Sequence, residues 1–166
     1  MRSLKFNQKM IDQASQWAND LGGIKNSITK GDGNYAGRLG ELALAKHLSV
    51  EVKDRKDYDI IYDGKKIEVK TKRRAVEPKP DYTVNIAAPS LHQKPDIYAF
   101  LSMEYLDRDS GGNYNDLLNI WLCGYKNAEQ FFEEASFWPK GHPDPPAFKT
   151  HRDIYVMKIK DLDERL

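Results

Sequence analysis

Asp59, Glu68 and Lys70 flank the dipeptide Asp63-Gly64, which separates two short runs of β-type residues. Asp-Gly in that setting is a strong signal for a two-residue hairpin turn. Tyr62 then faces Lys65, Ile60 faces Ile67, and Asp59 falls opposite Glu68. Because side chains alternate along a strand, Tyr58, Ile60, Tyr62, Ile67 and Val69 form an apolar face. Asp57, Asp59, Lys66, Glu68, Lys70 and Lys72 share the other. Like charges directly opposed across a ladder, with Cβ atoms about 5 Å apart, are destabilising. One offset is a hard divalent cation held by both carboxylates, since such ions take oxygen ligands. The other is screening by Lys66 and Lys70 on a solvated face.

Lys70, on the face of Glu68, has the chemistry to orient or deprotonate a water, or to stabilise charge developing on a phosphate. A third carboxylate stands upstream. Glu41, Leu44, Ala45 and Leu48 recur at helical spacing, so Glu41 opens an apolar stripe, and Gly37 and Gly40 permit close backbone approach. Glu41 either completes a metal site or pairs with Arg38 or Lys46. Beyond Lys70, the cluster Lys72, Arg73 and Arg74, with Lys79 behind it, either contacts phosphates in a salt-dependent way or forms a solvated loop.

These residues need elements to position them. Residues 7–21 read as a helix, with Met10, Ile11, Ala14, Trp17, Ala18 and Leu21 at helical spacing and Gly22-Gly23 as its stop. The joint Gly31-Asp32-Gly33-Asn34 leads to a second helix over 35–48, with Asp32 or Asn34 as its cap. Strands follow over 57–62, 65–72, 82–86, 97–105 and 119–124, then a helix over 126–135. A proline-rich loop, 139–147, precedes a last strand over 154–159. The order implies an α/β (α+β) architecture: a central mixed β-sheet flanked by helices. Trp121, Phe131 and Phe132 read as core, and Cys123 as a small apolar packer. Trp138 and residues 143–146 either lie near nucleic acid or cap the sheet.

The whole chain, 166 residues with 40% hydrophobic and 31% charged, reads as one domain. No apolar run approaches the ~20 residues of a membrane span, and no signal sequence is evident, so no membrane partner is expected. One cysteine allows no internal disulfide and fits a cytoplasmic setting. Four scattered histidines, His142 and His151 among them, make no zinc site. With a net charge of +1, attraction to nucleic acid has to be local. No phosphate-cradling glycine loop supports a nucleotide hydrolase, since Gly31-Asp32-Gly33 lacks the lysine of one.

The stretch from Asp59 through the turn to Glu68-Val69-Lys70 resembles the core motif of the PD-(D/E)XK nuclease superfamily, an aspartate, a hairpin and Glu-X-Lys in a strand. Gly37-Arg-Leu-Gly-Glu41 is similar to that family's N-terminal helix with its acidic residue. The likeness covers about residues 34–135, with motif residues confined to 41–72. It implies a restriction-endonuclease-like core and Mg²⁺-dependent phosphodiester hydrolysis, with Mn²⁺ as the alternative ion. Asp59, Glu68 and the backbone carbonyl of Val69 would hold the metal, Glu41 helping directly or through water, and Lys70 would position the nucleophile. No proline precedes the aspartate in Lys56-Asp57-Tyr58-Asp59. That leaves Asp57 and Asp59 as rival ligands, and the register favours Asp59 because Asp57 would face Lys70. The expectation is a small endonuclease on DNA, RNA remaining open, with structure-selective or low sequence specificity. Cutting both strands would call for a homodimer, and so compact a chain suits a phage or mobile element. The alternative is a catalytically silent nucleic-acid-binding or assembly module on the same fold.

Overall fold

A computed structural model of the chain describes residues 1–21, 32–53, 55, 57–88, 90, 93–106, 116–144 and 148–166. In chain order the elements are β1 (Arg2–Leu4), α1 (Gln8–Leu21), α2 (Asp32–Leu48), β2 (Ile60–Tyr62), β3 (Lys65–Arg74) and β4 (Thr83–Ala87). There follow β5 (Ile97–Tyr105), β6 (Leu117–Asn127), α3 (Ala128–Glu134) and β7 (Ser136–Trp138). The chain closes with β8 (Pro143–Asp144), β9 (Phe148–Lys149), β10 (Ile154–Lys158) and a 3₁₀ turn, Ile159–Asp161.

Helix α1 starts where the Asn7 side chain accepts from the Met10 N–H at 3.1 Å, satisfying one of the first-turn donors. It buries Met10, Ile11 and Ala14. The expected stop at Gly22-Gly23 lies outside the described residues, as does Gly31 of the joint. Helix α2 carries Tyr35, Ala36, Leu39, Ala43, Leu44 and Ala45 into the core. Lys46 and His47 occupy its last turn, where positive charge meets the negative end of the helix dipole. Ser49 then turns left-handed at φ 59, and the Val50 N–H closes onto the Ala45 carbonyl at 2.9 Å.

Asp63 (φ 47) and Gly64 (φ 74) both adopt left-handed backbone, the pair that a type I′ hairpin turn requires. The observed register is Tyr62 to Lys65, Ile61 to Lys66 and Ile60 to Ile67. The main sheet has the order β1-β6-β5-β3-β2. Strands β3 and β5 run parallel, and its other neighbours run antiparallel. Between β3 and β5 the chain lays down β4, part of a second sheet of order β4-β10-β7.

The main sheet therefore separates two cores. On one face Ile60, Ile67, Val69, Ala99, Leu101 and Met103 pack with α1 and α2. On the other, Tyr98, Phe100 and Cys123 pack with Phe131 of α3 and with Val84, Ile86 and Met157 of the small sheet. At the α2–β3 seam, a Cβ on Gly40 would collide with the Thr71 hydroxyl, so only glycine lets helix and strand meet this closely.

The mixed sheet and its three flanking helices match the sequence-based expectation, and several details differ. One face is covered by a second sheet as well as by a helix. Strands β1, β7, β8 and β9 were not expected, because two or three residues carry no readable periodicity. Lys126 belongs to β6 and not to the helix. The Asn127 side chain accepts from the Glu129 and Gln130 N–H groups at 3.0 and 3.2 Å, so α3 starts two residues later, at Ala128. Residues 57–59 precede the strand instead of belonging to it. Tyr62 is surface-exposed and Trp121 only half-buried. The Trp121 indole N–H donates to Glu104 at 2.9 Å, so its ring sits at a polar edge. Among the described residues no helix is long and apolar enough to cross a membrane.

Candidate active site

Strand β3 sets Glu68 and Lys70 on the sheet face opposite α2, with Val69 between them turned into the helical core. The Glu68 side chain is 7% exposed and accepts a 2.8 Å bond from Lys70 Nζ. Lys70 Nζ also donates to Gln93 Oε1 at 2.8 Å. Gln93 lies in the segment just before β5. Local sequence spacing gives no link between it and Lys70; the chain's return across the second face makes that link.

Asp59 departs from its expected place. The ladder register ends at Ile60, and the Asp59 N–H donates to the Ile67 carbonyl at 3.0 Å. Asp59 and Ile60 thus both address Ile67, the two-against-one arrangement of a β-bulge. Its carbonyl is drawn to the other side by the Lys53 N–H at 2.6 Å, and Val52 bridges to Ile60. The carboxylate accepts from the Val69 N–H at 2.8 Å. Asp59 is therefore no face-to-face partner of Glu68. The bulge turns it to the sheet edge, between Glu68 on one side and α2 on the other.

Glu41 approaches from α2. It pairs with Arg38 at 3.0 Å, both side chains being 14% exposed, and the Arg38 guanidinium lies 5.1 Å from the centre of the Trp17 ring. One of the alternatives for Glu41, a pair with Arg38, is thus present, and it coexists with proximity to Asp59. Burial first, then the charges of Glu41 and Glu68, push the Asp59 carboxyl up to about 8. The Val69 N–H and Lys70 oppose that rise without cancelling it. The Asp59 carboxyl thus holds its proton well above the usual carboxylate range. A buried acid that cannot ionise beside two others marks a place short of positive charge.

The donor types fit a hard cation. Carboxylate oxygens of Asp59 and Glu68 stand near the edge of β3, and the Val69 carbonyl points to the same side as its N–H, as in any strand. Among the described residues, however, no three His, Cys, Asp or Glu side chains are gathered into a closed ligand set. Glu41 and Glu68 are each engaged by a basic side chain instead.

The basic cluster does not lie in a loop; Lys72, Arg73 and Arg74 continue β3. The Arg74 guanidinium donates to the Thr83 carbonyl at 2.7 Å and lies 5.0 Å from the Tyr82 ring centre. It ties β3 to the start of β4. Lys72 shares the face of Glu68 and Lys70. Asp57 is exposed. His142 stacks on Trp138 at 4.5 Å, and Phe131 and Cys123 are buried. Pro145, Pro146 and Ala147 of the proline-rich loop lie outside the described residues.

No protein-family model matches the chain, and no curated protein or solved structure matches it significantly.

Proposed function

We propose that the protein is a metal-dependent nuclease cutting phosphodiester bonds in DNA, with a restriction-endonuclease-like core. The observation that carries this reading is the grouping at β3: the Asp59 carboxylate accepts from the Val69 N–H at 2.8 Å, on a strand bearing Glu-Val-Lys in which Lys70 holds the buried Glu68, with Glu41 near enough to raise the Asp59 carboxyl. Asp59, Glu68 and the Val69 carbonyl would hold Mg²⁺ or Mn²⁺, with Glu41 alongside. The ion supplies an activated water and charge stabilisation at phosphorus. Lys70, released from Glu68, has the reach and charge to orient the attacking water or meet the developing phosphate charge. Gln93 fixes the Lys70 ammonium from the opposite side, and Lys72 extends positive charge along the strand. The cutting we propose is structure-selective or weakly specific and takes place in a cytoplasmic setting, two copies being needed to cut both strands.

The test is incubation with supercoiled, single-stranded and branched DNA, and with RNA, in Mg²⁺, Mn²⁺ or chelator. Metal-dependent cleavage that Glu68→Ala and Lys70→Ala abolish is the expected result. A wild type that binds DNA yet cuts nothing would leave a silent binding module on this fold.

A further inference from the structure

Tyr98, at the centre of the second core, carries a polar group that the site above does not use. The residue is fully buried (0% exposed), and the rings of Phe131, Phe132 and Phe100 surround it at centroid distances of 5.9, 6.0 and 6.2 Å. Among the described residues its hydroxyl has no hydrogen-bond partner. A buried donor left unbonded is destabilising, and phenylalanine would fill the same space without it.

The strand register shows which charged residue neighbours Tyr98 in the sheet. Tyr98 is the direct neighbour of Glu68 across the parallel β3–β5 pair, on the same sheet face. Burial and then the Glu68 charge push the phenol up to about 12, so it remains a donor at any working pH. Glu68 in turn is held by Lys70. Once Lys70 turns toward a phosphate or a water, Glu68 loses that donor, and a buried carboxylate oxygen is costly unless its remaining lone pairs are hydrogen-bonded, with or without a cation on the other oxygen.

We propose that Tyr98 is a positioning residue for Glu68, its O–H taking over the carboxylate when Lys70 is withdrawn. The occasion for the exchange rests on the nuclease reading; the exchange itself does not.

Two measurements test it. In a thermal-unfolding double-mutant cycle, Tyr98→Phe leaves the midpoint of the wild type unchanged or higher. In the Lys70→Met background, which keeps the buried stem, the same change lowers it by several degrees. Adding Glu68→Gln to that background weakens the coupling, because a neutral amide replaces the charged acceptor. In plasmid cleavage with Mg²⁺, Tyr98→Phe lowers kcat about tenfold with KM unchanged, one hydrogen bond's worth. Equal effects of Tyr98→Phe on stability in both backgrounds overturn the proposal, whether or not the protein cuts DNA. So does a Tyr98→Phe enzyme that cuts at the wild-type rate. If the wild type does not cut but the coupling is present, the nuclease reading fails and the exchange of donors stands.

Discussion

On the α2 side of β3, Ile67 and Val69 are buried among leucines and alanines, and Thr71 meets Gly40 with no room for a Cβ. On the opposite side of the same strand Glu68 is equally deep, yet charged, and Lys70 holds it from within hydrogen-bond distance. The first side obeys ordinary packing: apolar area leaves water, and shape decides the rest. The second carries a buried carboxylate whose desolvation only a partner can offset. One strand thus supplies rigidity from one face and charge from the other. Asp59, at the bulged edge between them, suffers from both, being desolvated like the first face and repelled like the second.

That contrast can be broken most severely on the charged side. Lys70→Ala is expected to lower DNA cleavage by on the order of a thousandfold and also to lower the denaturation midpoint, because the buried Glu68 carboxylate loses its basic partner. Lys70→Met, which keeps the buried stem, should lose cleavage equally, and a variant of either kind that cuts at the wild-type rate would refute the role. At the edge, Asp59→Asn separates charge from shape. Between pH 3.8 and about 8 the folded protein keeps a proton that the unfolded chain releases. Stability therefore falls as pH rises through that window, by at most about 1.4 kcal/mol per pH unit. Asn carries no such proton, so Asp59→Asn flattens the slope and gains on the order of 3 kcal/mol at pH 8. Urea titrations at pH 5 and pH 8 measure this, and parallel slopes for the two proteins would refute it. Saturating Mg²⁺ should stabilise the wild type at pH 8 and the Asn variant much less.

The apolar side is sharpened by Gly40→Ala, expected to cost about 2 kcal/mol by overpacking the seam, with Thr71→Ala in the same chain recovering part of the loss. Cleavage per folded molecule should change little. The smallest effect belongs to Lys72→Ala: if Lys72 contacts one phosphate, the dependence of log affinity on log salt flattens by about 0.9. Arg74→Ala, by contrast, should loosen the junction with β4 and leave that dependence alone.

Much of this was legible in local sequence. Asp63-Gly64 determined the turn, because few residue pairs accept two successive left-handed conformations, and the turn determined the pairing of Ile60 with Ile67. Alternation assigned Val69 inward and Glu68 and Lys70 to the opposite face. Helical spacing brought Glu41 to the edge of an apolar stripe. What the sequence could not carry is the bulge at Asp59, since Lys53 and Val52 compete for the chain there only once it is folded. Nor could it place Gln93 on Lys70, or Tyr98 beside Glu68. Both depend on the parallel pairing of β3 with β5, whose registration is decided by contacts between residues some thirty positions apart. The hairpin that marks the candidate site is thus a property of the sequence. The charge balance within it belongs to the tertiary structure, because burial and the approach of other elements determine which carboxylate keeps its proton and which finds a partner.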